Sequence, residues 1–87
     1  MSELVTGTVR VKVRYFAGAA EAAGLEAESL PGASVGELFA VMTARHPALA
    51  EVLPRCSVLV GGVRTADHGV TLTADEQVDV LPPFAGG

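Results

Sequence analysis

The chain has 87 residues, 49% of them apolar, enough to enclose one compact core and too few for a second domain. Six Lys and Arg stand against ten Asp and Glu, and the resulting net charge of −4 gives no basis for holding a phosphate backbone, which excludes nucleic acid as a partner. A single cysteine and two histidines allow no internal disulfide and no metal site, and with no cluster of His, Cys and carboxylates in one segment the chain reads as a carrier or binding module.

No apolar run approaches the roughly 18 residues that cross a bilayer, and Met1 to Gly7 lacks the basic start and apolar stretch of a signal peptide. A cytoplasmic protein with no membrane partner and no bound cofactor is the expectation. Residues 1–7 are expected to be frayed, 8–83 to form the domain, and 84–87 to be a flexible tail.

Thr8 to Phe16 alternates, with Val9, Val11, Val13 and Tyr15 on one side and Arg10, Lys12, Arg14 and Phe16 on the other, the period of a strand. The alanine-rich stretch Gly18 to Ala23 predicts a short helix that Gly24 stops in a left-handed conformation. Leu25 to Leu30 is a second strand, ended by Pro31-Gly32.

Ser34 and Glu37 have the spacing of a capping box, so the main helix begins there. Val35, Leu38, Phe39 and Met42 follow at i, i+3, i+4 and i+7, one stripe for a sheet face to cover, and His46-Pro47 ends the helix. Pro47 to Leu53 predicts a further short helix closed by Pro54.

Ser57 to Val60 and Val63 to Thr65 flank Gly61-Gly62, a dipeptide able to supply the positive φ angles of a two-residue hairpin turn. Val70 to Thr73 and Val78 to Leu81, separated by a polar turn at Ala74 to Gln77, are predicted as the remaining strands. Strand, short helix, strand, long helix and several strands make an α+β domain: a mixed sheet of four to five strands with the main helix on one face, the order of a β-grasp.

The C-terminal residues Leu81-Pro82-Pro83-Phe84-Ala85-Gly86-Gly87 resemble the strand end, proline pair and di-glycine terminus of the molybdopterin synthase small subunits, ubiquitin-like β-grasp sulfur carriers. Val70 to Val78 is similar to the turn and strand entry of that family, and Val13-Arg14-Tyr15-Phe16-Ala17 to its first strand; the resemblance covers Arg10 to Gly87. One departure is that Ala20 precedes the acidic Glu21 where many family members carry an arginine.

The resemblance implies a working group, the terminal carboxylate of Gly87. A partner enzyme would adenylate it with ATP, sulfur transfer would convert it to a thiocarboxylate, and the sulfur would pass to a pterin precursor of the molybdenum cofactor inside a large subunit. The residue types suit the task. A backbone carboxylate, with a pKa of about 3.3–3.7, is ionised at neutral pH. Glycine leaves a narrow channel unblocked, Pro82-Pro83 sets the exit direction, and Phe84 to Gly87 extended reaches about 13 Å.

With the first and last strands parallel and adjacent, as in a β-grasp, Phe16 falls beside Leu81 on the face away from the helix. Leu59 shares that face by alternation while Val58, Val60, Val78 and Val80 face the helix. Phe16, Leu59, Leu81 and Phe84 are therefore the expected partner-docking patch. Cys56 reads as an inert, partly buried thiol, His46 and His68 receive no catalytic role, and Arg10, Lys12 and Arg14 read as a solvated strand face open to an acidic partner. Other readings stay open: a carrier for thiamine, cysteine or another sulfur metabolite, a ubiquitin-like modifier joined to lysines through Gly87, and a plain interaction domain.

Overall fold

The computed structural model describes residues 9–83. The expected N-terminal segment 1–7, Thr8, and the tail Phe84 to Gly87 lie outside the described residues.

The chain folds in the order β1 (Arg10–Tyr15), α1 (Gly18–Ala23), β2 (Ala27–Pro31), α2 (Val35–Arg45), α3 (Leu49–Val52), a 3₁₀ turn (Leu53–Arg55), β3 (Ser57–Val60), β4 (Val63–Arg64) and β5 (Gln77–Leu81). The five strands form one mixed sheet in the order β2-β1-β5-β3-β4. First and last strands run parallel at its centre and the other pairings are antiparallel, which is the β-grasp arrangement.

Alternation decides which face is buried. Val11, Val13 and Tyr15 of β1, Leu30 of β2, Val58 and Val60 of β3, and Val78 and Val80 of β5 all point under the helices. From the other side α2 contributes Val35, Leu38 and Met42, while Ala19, Leu49, Leu53 and Leu72 close the margins. Each fully buried Leu, Val or Met stabilises the fold by roughly 1.5–3 kcal/mol relative to an exposed one. Phe39, on the predicted stripe, reaches only the rim, where its ring lies edge-on to His68 at 5.0 Å between centroids.

Local signals place most element ends. Gly24 stops α1 at φ +81°. Gly61 and Gly62, at φ +58° and +86°, form the hairpin turn between β3 and β4, two positive angles that residues with a Cβ avoid.

The start of α2 is satisfied more completely than a capping box requires. The Ser34 hydroxyl accepts from the Glu37 N–H, but the Glu37 carboxylate reaches past Ser34 to accept from the Ala33 N–H. Two further first-turn donors are taken by another segment, Val35 N–H by the Val70 carbonyl and Gly36 N–H by that of His68, and the helix's own ladder begins with Leu38 N–H on the Ser34 carbonyl.

Those bonds explain a correction. Val70 to Thr73, expected as a strand, makes only one bridge, Thr71 with Ser34, whose two bonds run from Val35 N–H to the Val70 carbonyl and from Leu72 N–H to the Ala33 carbonyl; its partner is the entry to α2, which turns into a helix and offers no further ladder. The segment still packs through Leu72, which is 2% exposed. Smaller shifts occur elsewhere. The second strand starts and ends later than expected, at Ala27 and Pro31, the hairpin strand stops at Arg64, and Pro54 lies within the 3₁₀ turn instead of closing the helix.

Candidate docking face and carboxyl tail

The parallel pairing of β1 with β5 aligns Arg14 with Asp79 and Tyr15 with Val80. One residue further, the Phe16 N–H donates to the Val80 carbonyl at 3.1 Å, which brings Phe16 alongside Leu81. β3 runs back along β5 with Leu59 opposite Asp79 and Ser57 opposite Leu81. The face turned away from the helices thus carries Arg14, Asp79 and Leu59 in one row and Phe16, Leu81 and Ser57 in the next, nearer the exit of the chain into Pro82-Pro83.

Phe16 is 36% exposed, and Leu59 and Leu81 are half-buried. Three members of the expected patch therefore share a face at the tail end of the sheet. Phe84, its fourth member, lies outside the described residues together with Ala85, Gly86 and Gly87.

Asp79, at the middle of this face, received no role from the sequence. It is only 9% exposed. Arg14 donates to it through both prongs of its fork, Nε to Oδ1 at 2.9 Å and Nη2 to Oδ2 at 3.1 Å, and Gln77 Nε2 donates to Oδ1 at 3.1 Å. Hydrogen bonding and charge from Asp79 raise the guanidinium above its ordinary pKa. The same guanidinium lies over the Phe16 ring at 5.4 Å from the centroid. The signal was present in outline: Gln77, Asp79 and Leu81 share parity on β5, and only the register between strands 65 residues apart was missing.

The histidines hold the frame. Glu28 Oε2 accepts the Tyr15 hydroxyl at 2.7 Å and lies 2.7 Å from His46 Nε2, with Arg45 Nε 3.8 Å from Oε1, so one carboxylate ties β1 and β2 to the end of α2. Burial, then the hydrogen bond and charge of Glu28, raise the Tyr15 phenol far above its usual range and keep it a donor. Cys56 lies in a groove of about 540 Å³ between α2 and the β3–β4 hairpin, where its thiol donates to the Val52 carbonyl at 3.3 Å. Burial raises its pKa and so lowers its thiolate fraction, as an inert thiol requires.

Among the described residues no group of three or more His, Cys, Asp or Glu is placed to hold a metal, and no helix is long and apolar enough to cross a membrane.

Residues 13–87 match the sequence pattern of the ThiS family. The chain is 34% identical to the "Molybdopterin synthase sulfur carrier subunit" of Chlamydomonas reinhardtii over 84 residues, covering 91% of this chain and 100% of that protein. It is 29% identical to the protein of the same name from Emericella nidulans, covering 87% of this chain and 96% of the relative. Among solved structures, the small archaeal modifier protein 1 of Methanosarcina acetivorans superposes with a TM-score of 0.82 at 26% identity, over 92% of this chain and 98% of that one.

Proposed function

The chain belongs to the ThiS family, and from that premise we propose that it is the sulfur-carrier subunit of a molybdopterin synthase in the cytoplasm, acting through the carboxylate of Gly87. The observation that carries this reading is the central parallel pairing of β1 with β5. It sets Phe16, Leu81 and Leu59 on one face at the point where the chain leaves the sheet through Pro82-Pro83. A partner seated there receives the tail in its own active site.

The chemistry is divided between proteins. In an adenylating enzyme the Gly87 carboxylate attacks the α-phosphate of ATP and releases pyrophosphate. A sulfur nucleophile at the oxidation level of sulfide then displaces AMP to leave a thiocarboxylate. In the large subunit the thiocarboxylate sulfur attacks the pterin precursor, and water at the acyl carbon regenerates the carboxylate. This chain supplies docking, reach and the terminal carboxyl group.

The test is mass spectrometry of the intact chain after incubation with the adenylating enzyme, ATP and a sulfur donor. The wild-type chain is expected to exchange one oxygen for sulfur. Deleting Gly87, or adding a residue after it, should abolish both that exchange and sulfuration of the precursor while leaving thermal stability unchanged. A shortened chain that still forms the thiocarboxylate would refute the tail mechanism. The likeness to an archaeal modifier protein favours a second reading, a protein modifier joined to lysines through Gly87. Its signature in the same experiment is conjugates of the chain with other proteins.

A further inference from the structure

Docking faces built only of apolar groups need no ion pair at their centre, yet this one has Asp79 beneath Arg14, ringed by Phe16, Leu59 and Leu81. The two members are unequal. The Asp79 side chain is 12% exposed and has its oxygens occupied by Arg14 and Gln77, whereas the Arg14 side chain is 53% exposed. Asp79 takes one Nε–H and one Nη2–H, and Nη1 has no acceptor among the described residues. The guanidinium is held by its fork on Asp79 and by its position over the Phe16 ring, with unused donors directed away from Asp79.

We infer that Arg14, positioned by Asp79, is the specificity-determining residue of the docking face, and that the partner covers it with an apolar surface presenting an uncharged hydrogen-bond acceptor, a backbone carbonyl or side-chain amide oxygen. This rests on the docking face assigned above. A partner that covered Arg14 with apolar groups alone would strip water from its remaining donors and leave them unpaired, a penalty that rejects wrong partners. Charge decides the kind of acceptor. Arg14 and Asp79 already sum to zero, so a neutral oxygen completes the hydrogen bonds without adding uncompensated charge, whereas a carboxylate would leave a negative excess in a desolvated centre.

The experiment measures the affinity of the full chain for the large subunit of molybdopterin synthase from the same organism, for wild type and for Arg14→Lys, Arg14→Met, the double variant Arg14→Met with Asp79→Asn, and Phe16→Ala. Urea unfolding of each variant checks the fold. Arg14→Met and the double variant should each bind about 30-fold or more weakly, and Arg14→Lys, which keeps the charge but loses the fork, should recover little of that. The double variant is decisive because it leaves no orphaned carboxylate. If the pair is merely structural, an apolar side chain over a neutral one binds as well as wild type or better, and the inference is overturned. The salt dependence of affinity should be the same for wild type and the double variant, and a slope that falls with Arg14 would overturn the neutral acceptor in favour of a carboxylate. Failure of the underlying reading looks different: the wild-type chain would not bind the large subunit, or Phe16→Ala would bind unchanged.

Discussion

Replacing Glu28 with alanine removes the acceptor on which β1, β2 and the end of α2 converge. The Tyr15 hydroxyl belongs to a residue only 2% exposed, and losing its partner leaves a buried donor unsatisfied, at a cost of about 1–3 kcal/mol. His46 loses its 2.7 Å contact, but its side chain is 17% exposed and water replaces part of that bond, so this adds only about 0.5–1 kcal/mol. Arg45, 3.8 Å away and 60% exposed, adds little. The sum, about 1.5–4 kcal/mol, is a large share of the roughly 5–10 kcal/mol expected for a domain of this size. Urea unfolding should show it as a lower midpoint with an unchanged slope, and a cycle with Tyr15→Phe should give a coupling of about 1–2 kcal/mol. High pH supplies a second readout. The Tyr15 phenol is raised above its ordinary value of 10.0, so above that pH the unfolded chain loses a proton that the folded one keeps. Its contribution is complete below pH 10 and is lost as pH rises further, at up to about 1.4 kcal/mol per unit, and Tyr15→Phe should remove that dependence. A Glu28→Ala loss below about 0.5 kcal/mol, or an alkaline limb identical in wild type and Tyr15→Phe, would refute the reasoning.

Two further outcomes follow from the backbone and the thiol. Ala17 sits at φ 49°, ψ −124° in the turn closed by the Ala19 N–H on the Phe16 carbonyl, a conformation that favours glycine. Ala17→Gly should relieve strain of about 1–3 kcal/mol against an entropic cost of about 0.4–1 kcal/mol, so thermal unfolding should show a net gain of about 1 kcal/mol, and a loss would show the turn to be unstrained. The Cys56 thiol, its pKa raised by burial, should alkylate more slowly at pH 8 than an unfolded control. Cys56→Ser should leave thiocarboxylate formation unchanged in the mass-spectrometric assay, and a loss there in a folded variant would return Cys56 to the mechanism.

Signals that act over a few residues were legible in the sequence. The alternation of Val11, Val13 and Tyr15 set the buried face of β1, Ser34 set the start of α2, and Gly24 and Gly61-Gly62 set a helix stop and a hairpin, because each is a local conformational preference. The adjacency of Phe16 and Leu81 was legible too, by way of the β-grasp order, and the resemblance carried the role of Gly87, which lies outside the described residues. Only the tertiary structure decided the rest. Val70 to Thr73 has the composition of a strand, yet it bridges only to the start of α2, where the Val35 N–H donates to the Val70 carbonyl and the Gly36 N–H to the preceding His68 carbonyl. Glu28, His46 and Tyr15 meet from three separate elements, and Arg14 finds Asp79 only in one register of β1 against β5. A one-residue slip in that register would turn the Asp79 carboxylate into the core, so the choice belongs to the burial of Val78 and Val80 as a set and not to either strand alone.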